Sequence, residues 1–103
     1  LLLRGARQGG KTFSCRILGK SFKYFLEINF EEDRAVRKIF KESLNPQYLS
    51  EKLSAYFSIP IVQGQTLLFF DEIQACPDAL SSLRFFYEKM PDLHVVAAGS
   101  LLE

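Results

Sequence analysis

Eight residues near the start of the chain, Gly5-Ala6-Arg7-Gln8-Gly9-Gly10-Lys11-Thr12, fill every fixed position of the pattern G-x-x-x-x-G-K-[ST] directly after an apolar run, Leu1-Leu2-Leu3. That spacing constrains the chain to a strand, a tight loop and a helix, with backbone N–H groups curled around an anion. Gly5 and Gly10 allow backbone angles and a close approach that a Cβ would forbid, while the following helix points its positive end at the anion. Lys11 then brings a mobile charge to the β- and γ-phosphates of a nucleotide, and Thr12 a hydroxyl to Mg²⁺. Arg7 and Gln8 lie near phosphate or face solvent; the sequence does not choose. A glycine-rich turn with a surface lysine would match the same letters. The apolar run before the loop, the helix-compatible residues 13–18 closed by Gly19, and a second motif downstream weigh against that alternative.

The second motif, Thr66-Leu67-Leu68-Phe69-Phe70-Asp71-Glu72-Ile73-Gln74, is a continuous apolar run that ends abruptly in two acids. Unbroken apolarity predicts a strand buried on both faces, as in a parallel sheet. Two carboxylates at its end are costly unless something there uses them. In that role Asp71 would hold Mg²⁺, commonly through its water shell, and Glu72 would orient or deprotonate the water attacking the γ-phosphate. A solvated strand terminus is the plain alternative; joined to the loop, the acid pair favours hydrolysis over binding alone. A third strand candidate, Leu93-His94-Val95-Val96-Ala97-Ala98-Gly99-Ser100, ends in a small residue and a hydroxyl. Ligands in such sheets gather at the carboxyl ends of the strands, which makes Ser100 a candidate contact for the γ-phosphate or the water. A serine after glycine is equally an ordinary turn residue.

Composition limits what else the chain can be. With 103 residues, 48% of them hydrophobic, it holds one small domain with enough apolar material for a core. Thirteen basic against twelve acidic side chains leave a net charge of +1, so no global basic field points to nucleic acid. Arg34, Arg37, Lys38 and Lys41 read as the solvated face of a helix. No apolar run is long enough to cross a bilayer, and Arg4 interrupts the opening leucines, so no signal peptide is recognised and the expected location is cytoplasmic. Cys15 and Cys76 lack the spacing of a metal site and are expected as reduced, packed thiols. His94, the only histidine, has no paired nucleophile and is expected in a structural or surface role.

Strand signals at residues 1–4, 23–30, 66–72 and 93–98 alternate with helical spacings, which predicts βαβ units and a parallel sheet. The block from Tyr24 to Phe30 alternates only partly, which suits a strand near the sheet's edge. Asp33 can cap a helix carrying Val36, Ile39 and Phe40, stopped near Asn45-Pro46. Leu49, Leu53, Tyr56 and Phe57 mark a further helix, residues 58–65 a loop, and Leu80, Leu83, Tyr87 and Met90 a last helix after Pro77. Arg84 on that helix is a candidate arginine finger or partner contact, against the default of an exposed or packed arginine. The chain begins inside its first strand and stops directly after a strand end, and is expected to be a fragment of a longer protein with an unprotected sheet edge beside the phosphate-loop strand.

Taken together, the loop with its Gly-Ala-Arg-Gln lead, Glu27-Ile28-Asn29-Phe30-Glu31, Leu67 through Gln74, Cys76-Pro77, Ser82-Leu83-Arg84-Phe85-Phe86-Tyr87-Glu88 and Ala97-Ala98-Gly99-Ser100-Leu101-Leu102-Glu103 resemble one group. It is the AAA-type ATPases of bacteria and archaea in which the ATPase core precedes a C-terminal domain of unknown function. The resemblance spans nearly all of the chain. It implies an α/β fold of the P-loop NTPase class, AAA+/ASCE type: a parallel sheet flanked by helices, strand order 5-1-4-3-2, truncated here before the fifth strand. It also implies Lys11 and Thr12 in the phosphate loop, Asp71 and Glu72 on the second motif, and Ser100 as the polar sensor. Gly9 stands where the family usually has a bulkier residue, often valine. The family's fifth strand, helical lid, second sensor and C-terminal domain are not in these residues.

The expected activity is ATP binding and Mg²⁺-dependent hydrolysis, with ATP and Mg²⁺ as cofactors, residues 5–12 as the nucleotide cradle, Lys11, Glu72 and Ser100 as catalytic groups, and Thr12 and Asp71 at the metal. Nucleic acid and membrane are not indicated as partners; a protein partner or self-association would run through domains beyond this chain. Three alternatives stay open. A DNA-dependent motor also suits Asp-Glu-x-Gln, a small-molecule kinase would want an acceptor pocket and a basic lid, and a non-hydrolysing nucleotide-binding fragment would need only the loop.

Overall fold

The apolar run that ends in Asp71 forms the most enclosed strand of the sheet. In the computed structural model, which describes residues 2–3 and 9–100, the elements are β1 (Leu2–Leu3), α1 (Gly9–Gly19), β2 (Tyr24–Asn29), α2 (Arg34–Glu42), α3 (Pro46–Phe57), β3 (Thr66–Asp71), a 3-10 turn (Ile73–Ala75), α4 (Pro77–Lys89) and β4 (His94–Ala98). Every pairing is parallel and the order is β1-β4-β3-β2. That order matches the part of the implied 5-1-4-3-2 arrangement that falls on these strands. Residues 66–70 are all buried because β3 has a neighbour on each side and helices on both faces. In β2, by contrast, only Leu26 and Ile28 are buried, the alternation expected at the edge of the described sheet.

The two faces of the sheet sort the side chains by parity. Leu67, Phe69, Val96 and Ala98 point to one side and pack with Cys15 of α1, with Phe22 and Phe25 alongside. Leu26, Ile28, Leu68, Phe70 and Ala97 point to the other, where α2, α3 and α4 contribute Val36, Phe40, Leu49, Leu53, Ala79 and Phe86. Phe70 is the hub of this larger core, with edge-on ring contacts to Phe30 at 5.4 Å, Phe40 at 5.8 Å and Phe86 at 6.1 Å. Burying each of these rings stabilises the fold by about 2–3 kcal/mol. Cys15 and Cys76 fall in different cores and are both free and buried, as the sequence led us to expect. Burial is also the main reason both thiols are pushed up from their ordinary pKa, so neither is poised to react.

Local chemistry sets the helix ends. Asp33 accepts a hydrogen bond from the Val36 N–H at 3.1 Å and starts α2 as the sequence predicts. The Asn45-Pro46 pair does not stop that helix. The stop comes at Glu42, where Ser43 turns extended, and Asn45 instead caps α3 by accepting from the N–H groups of Gln47 and Tyr48, with Pro46 in its first turn. Gly19 ends α1 where a Cβ would come within 2.5 Å of the Phe25 ring, so only glycine lets this helix lie down on β2. Among the described residues no helix is long and apolar enough to cross a membrane.

Candidate functional site

Parallel pairing brings all the carboxyl ends of the strands to one edge of the sheet, and there the two motifs meet. The register sets Asn29 opposite Asp71, and the Phe30 N–H extends the ladder by donating to the Asp71 carbonyl at 3.0 Å. Thr12, in the first turns of α1, donates its hydroxyl to Asp71 Oδ2 at 3.1 Å across 59 residues of sequence. The other carboxylate oxygen, Oδ1, accepts the Glu72 backbone N–H at 2.9 Å. The predicted metal pair is therefore in direct contact. Gly9, Gly10 and Lys11 belong to α1. The assignments to Gly5, Ala6, Arg7 and Gln8 lie outside the described residues, as does the Lys11 side chain.

Burial pushes the Asp71 carboxyl up from its ordinary pKa. The hydrogen bonds from Thr12 and from the Glu72 N–H oppose this, while the charges of Glu72 and Glu27 add to it. The folded chain thus binds this proton more readily than the unfolded one, so the ionised carboxylate costs stability at neutral pH, and the cost fades as pH falls through the raised folded value. Asp71→Asn is expected to raise the melting temperature of the ligand-free chain at pH 7 by a few degrees, an effect kept small by partial exposure to water. The difference should narrow as the pH approaches the unfolded value of about 4. Thermal melts at pH 7 and pH 5 check this; a variant that melts below wild type at pH 7 contradicts it.

Glu72 follows in a left-handed conformation, φ 52 and ψ 46, uncommon for a residue with a side chain. This turn breaks the direction of β3 and brings the buried Glu72 to the strand end beside Asp71. Its Oε1 accepts a hydrogen bond from Gln74 Nε2 at 2.8 Å. Beyond β4, Gly99 is buried against Ile73 and Gln74, and Ser100 follows it half-buried in a turn. Ser100 thus follows the residue that packs on the acidic motif. In the sequence Gln74 is the last letter of that motif, including its Asp-Glu-x-Gln form, and Gly99 is a small residue before Ser100. The signal for Gln74 was an amide two positions after an acid, which gains meaning only once a 3-10 turn folds it back.

Around this centre, Arg16 on α1 makes a two-pronged ion pair with Glu27 of β2, Nε to Oε1 at 2.8 Å and Nη2 to Oε2 at 2.9 Å, tying the helix to the edge strand. Arg84 is exposed on α4, its guanidinium 5.0 Å from the Phe85 ring centroid. His94 is exposed with its ring edge-on to Phe22 at 5.0 Å, a packing role in keeping with expectation.

These residues fit a nucleotide with its metal. A hydroxyl and a carboxylate of the two motifs already touch, and the carboxylate is desolvated in a way a cation would relieve. A parallel α/β sheet with two such motifs at its carboxyl edge defines the phosphate-loop class of nucleotide-binding domain. The chain matches the family described as AAA domain over residues 1–103, and it belongs to that family. AAA domains are nucleotide-binding modules of the ATPase type that in general bind ATP and Mg²⁺. No curated protein matches the chain.

Proposed function

We propose that the chain binds ATP together with Mg²⁺ and that its site is built to hydrolyse the γ-phosphate. The observation that carries the reading is the hydrogen bond between Thr12 and Asp71, which joins the loop-bearing helix to the acidic strand end. When bound, the nucleotide supplies the phosphoanhydride to be cleaved, and the metal supplies charge that draws electrons from the phosphates. The loop at residues 5–12 offers its backbone N–H groups, and Lys11 its ammonium, to the phosphate oxygens. Thr12 and Asp71 would hold the metal, the one with its hydroxyl and the other with its carboxylate, commonly through the metal's water shell. Glu72, an acceptor in its ionised form, orients the attacking water and takes its proton. Ser100 contributes a hydroxyl from the neighbouring strand end.

Saturating ATP with Mg²⁺, at about 100 times the dissociation constant, should stabilise the fold by about 2.7 kcal/mol. For a domain of this size that corresponds to a rise in melting temperature of about 10 °C or more. Chelating the metal with EDTA should remove most of the gain. Phosphate release followed in parallel tests hydrolysis. No shift with saturating ligand sinks the binding reading, and a full shift without phosphate release sinks the hydrolytic one.

A further inference from the structure

We propose that Gln74 is a positioning residue: its carboxamide fixes the Glu72 carboxylate and makes that position depend on the end of β4 at Gly99. The inference rests on the reading of Glu72 as the group that orients the water. Its starting point is the two ends of one side chain. Gln74 Nε2 donates to Glu72 Oε1 at 2.8 Å. Gln74 Oε1 is buried without a hydrogen-bond partner among the described residues.

An ionised carboxylate can only accept, so the NH₂ end must face Glu72 and the oxygen must face the other way. That way lies Gly99. A Cβ built on Gly99 would overlap Gln74 Oε1, and would also stand 3.4 Å from Ile73 Cγ2 and 3.5 Å from the Ile73 backbone nitrogen. The amide is thus held at one end by a hydrogen bond, and its other end occupies the space that a side chain on Gly99 would need.

An apolar side chain of the same length would fill this space without burying an oxygen that lacks a partner. Packing alone therefore gives no reason for the amide; holding Glu72 does. The arrangement also has a mechanical consequence. Glu72 stands on a left-handed turn and Gln74 on the 3-10 turn that follows it, so both sit on a short, bent segment wedged against β4. A displacement of Gly99, whose neighbour is Ser100, moves the amide, and the amide moves the carboxylate. The strand end that offers a hydroxyl to the site is thereby coupled to the group that handles the water.

Two variants separate positioning from filling. Gln74→Met keeps the length of the side chain and removes the amide; it should lower kcat roughly 10- to 100-fold while leaving the KM for ATP within about twofold. Gly99→Ala should reproduce that loss in the wild-type background and add little to it when combined with Gln74→Met. A readout independent of turnover is the NMR signal of the Gln74 side-chain amide in ¹⁵N-labelled chain. It should move upfield in Glu72→Ala, where the acceptor is gone, and shift in Gly99→Ala. Wild-type kcat in Gln74→Met, or an amide signal unmoved in both Glu72→Ala and Gly99→Ala, overturns the proposal. Amide shifts as expected with full turnover in Glu72→Gln would instead count against the catalytic reading of Glu72, leaving the link between Gln74, Glu72 and Gly99 in place.

Discussion

Replacing Lys11 by alanine is expected to weaken binding of ATP with Mg²⁺ on the order of a hundredfold or more, about 3 kcal/mol, the scale of losing a charged hydrogen-bond donor from a phosphate. Because α1 begins at Gly9, residues 9–12 form its first turn, where backbone N–H groups have no partner within the helix. Lys11 precedes Thr12 in that turn, and Thr12 is the residue that reaches Asp71. An anion at this helix end therefore lies beside both motifs at once. Calorimetric titration of the variant is the direct check. Binding as tight as wild type would remove the phosphate-loop assignment, and the hydrolytic reading would go with it.

Glu72→Gln should separate binding from turnover. Glutamine keeps the size of the side chain, and its carbonyl oxygen can still accept from Gln74 Nε2, so the local turn and the nucleotide affinity are expected to persist. What is lost is the ability to take a proton from water. Losing a general base typically costs about 10²- to 10⁴-fold, and the loss should fall on kcat. Phosphate release at saturating ATP, with the dissociation constant measured on the same sample, reads both quantities. Wild-type kcat in this variant would reassign the base elsewhere.

The sequence marked the parts of the site because each motif is local. The spacing of Gly5, Gly10, Lys11 and Thr12 is fixed by the geometry of one loop, and the acids at 71 and 72 sit at the end of an apolar run that reads as a strand by itself. Element types were legible for the same reason, down to the Asp33 cap of α2. The Asn45-Pro46 pair shows where local reading gives out. Its letters suit a helix end and a helix start equally, and the decision fell to Asn45 Oδ1, which finds two N–H partners only on the downstream side.

Membership of the AAA-domain family is written in the chain itself, as are the loop, the acid pair and the alternation of strands and helices. These follow from residue types at short fixed spacings, and short spacings survive without knowledge of the fold. Other features arose only when the strands paired. The contact between Thr12 and Asp71 spans 59 residues. The sorting of Leu68 and Phe70 from Leu67 and Phe69 into separate cores needs helices on both faces. The closeness of Gly99 to Gln74 depends on the end of β4 packing against the turn that follows β3. A sequence names the groups that can act; their distances are set by strand register and helix packing, which depend on every layer of the fold at once.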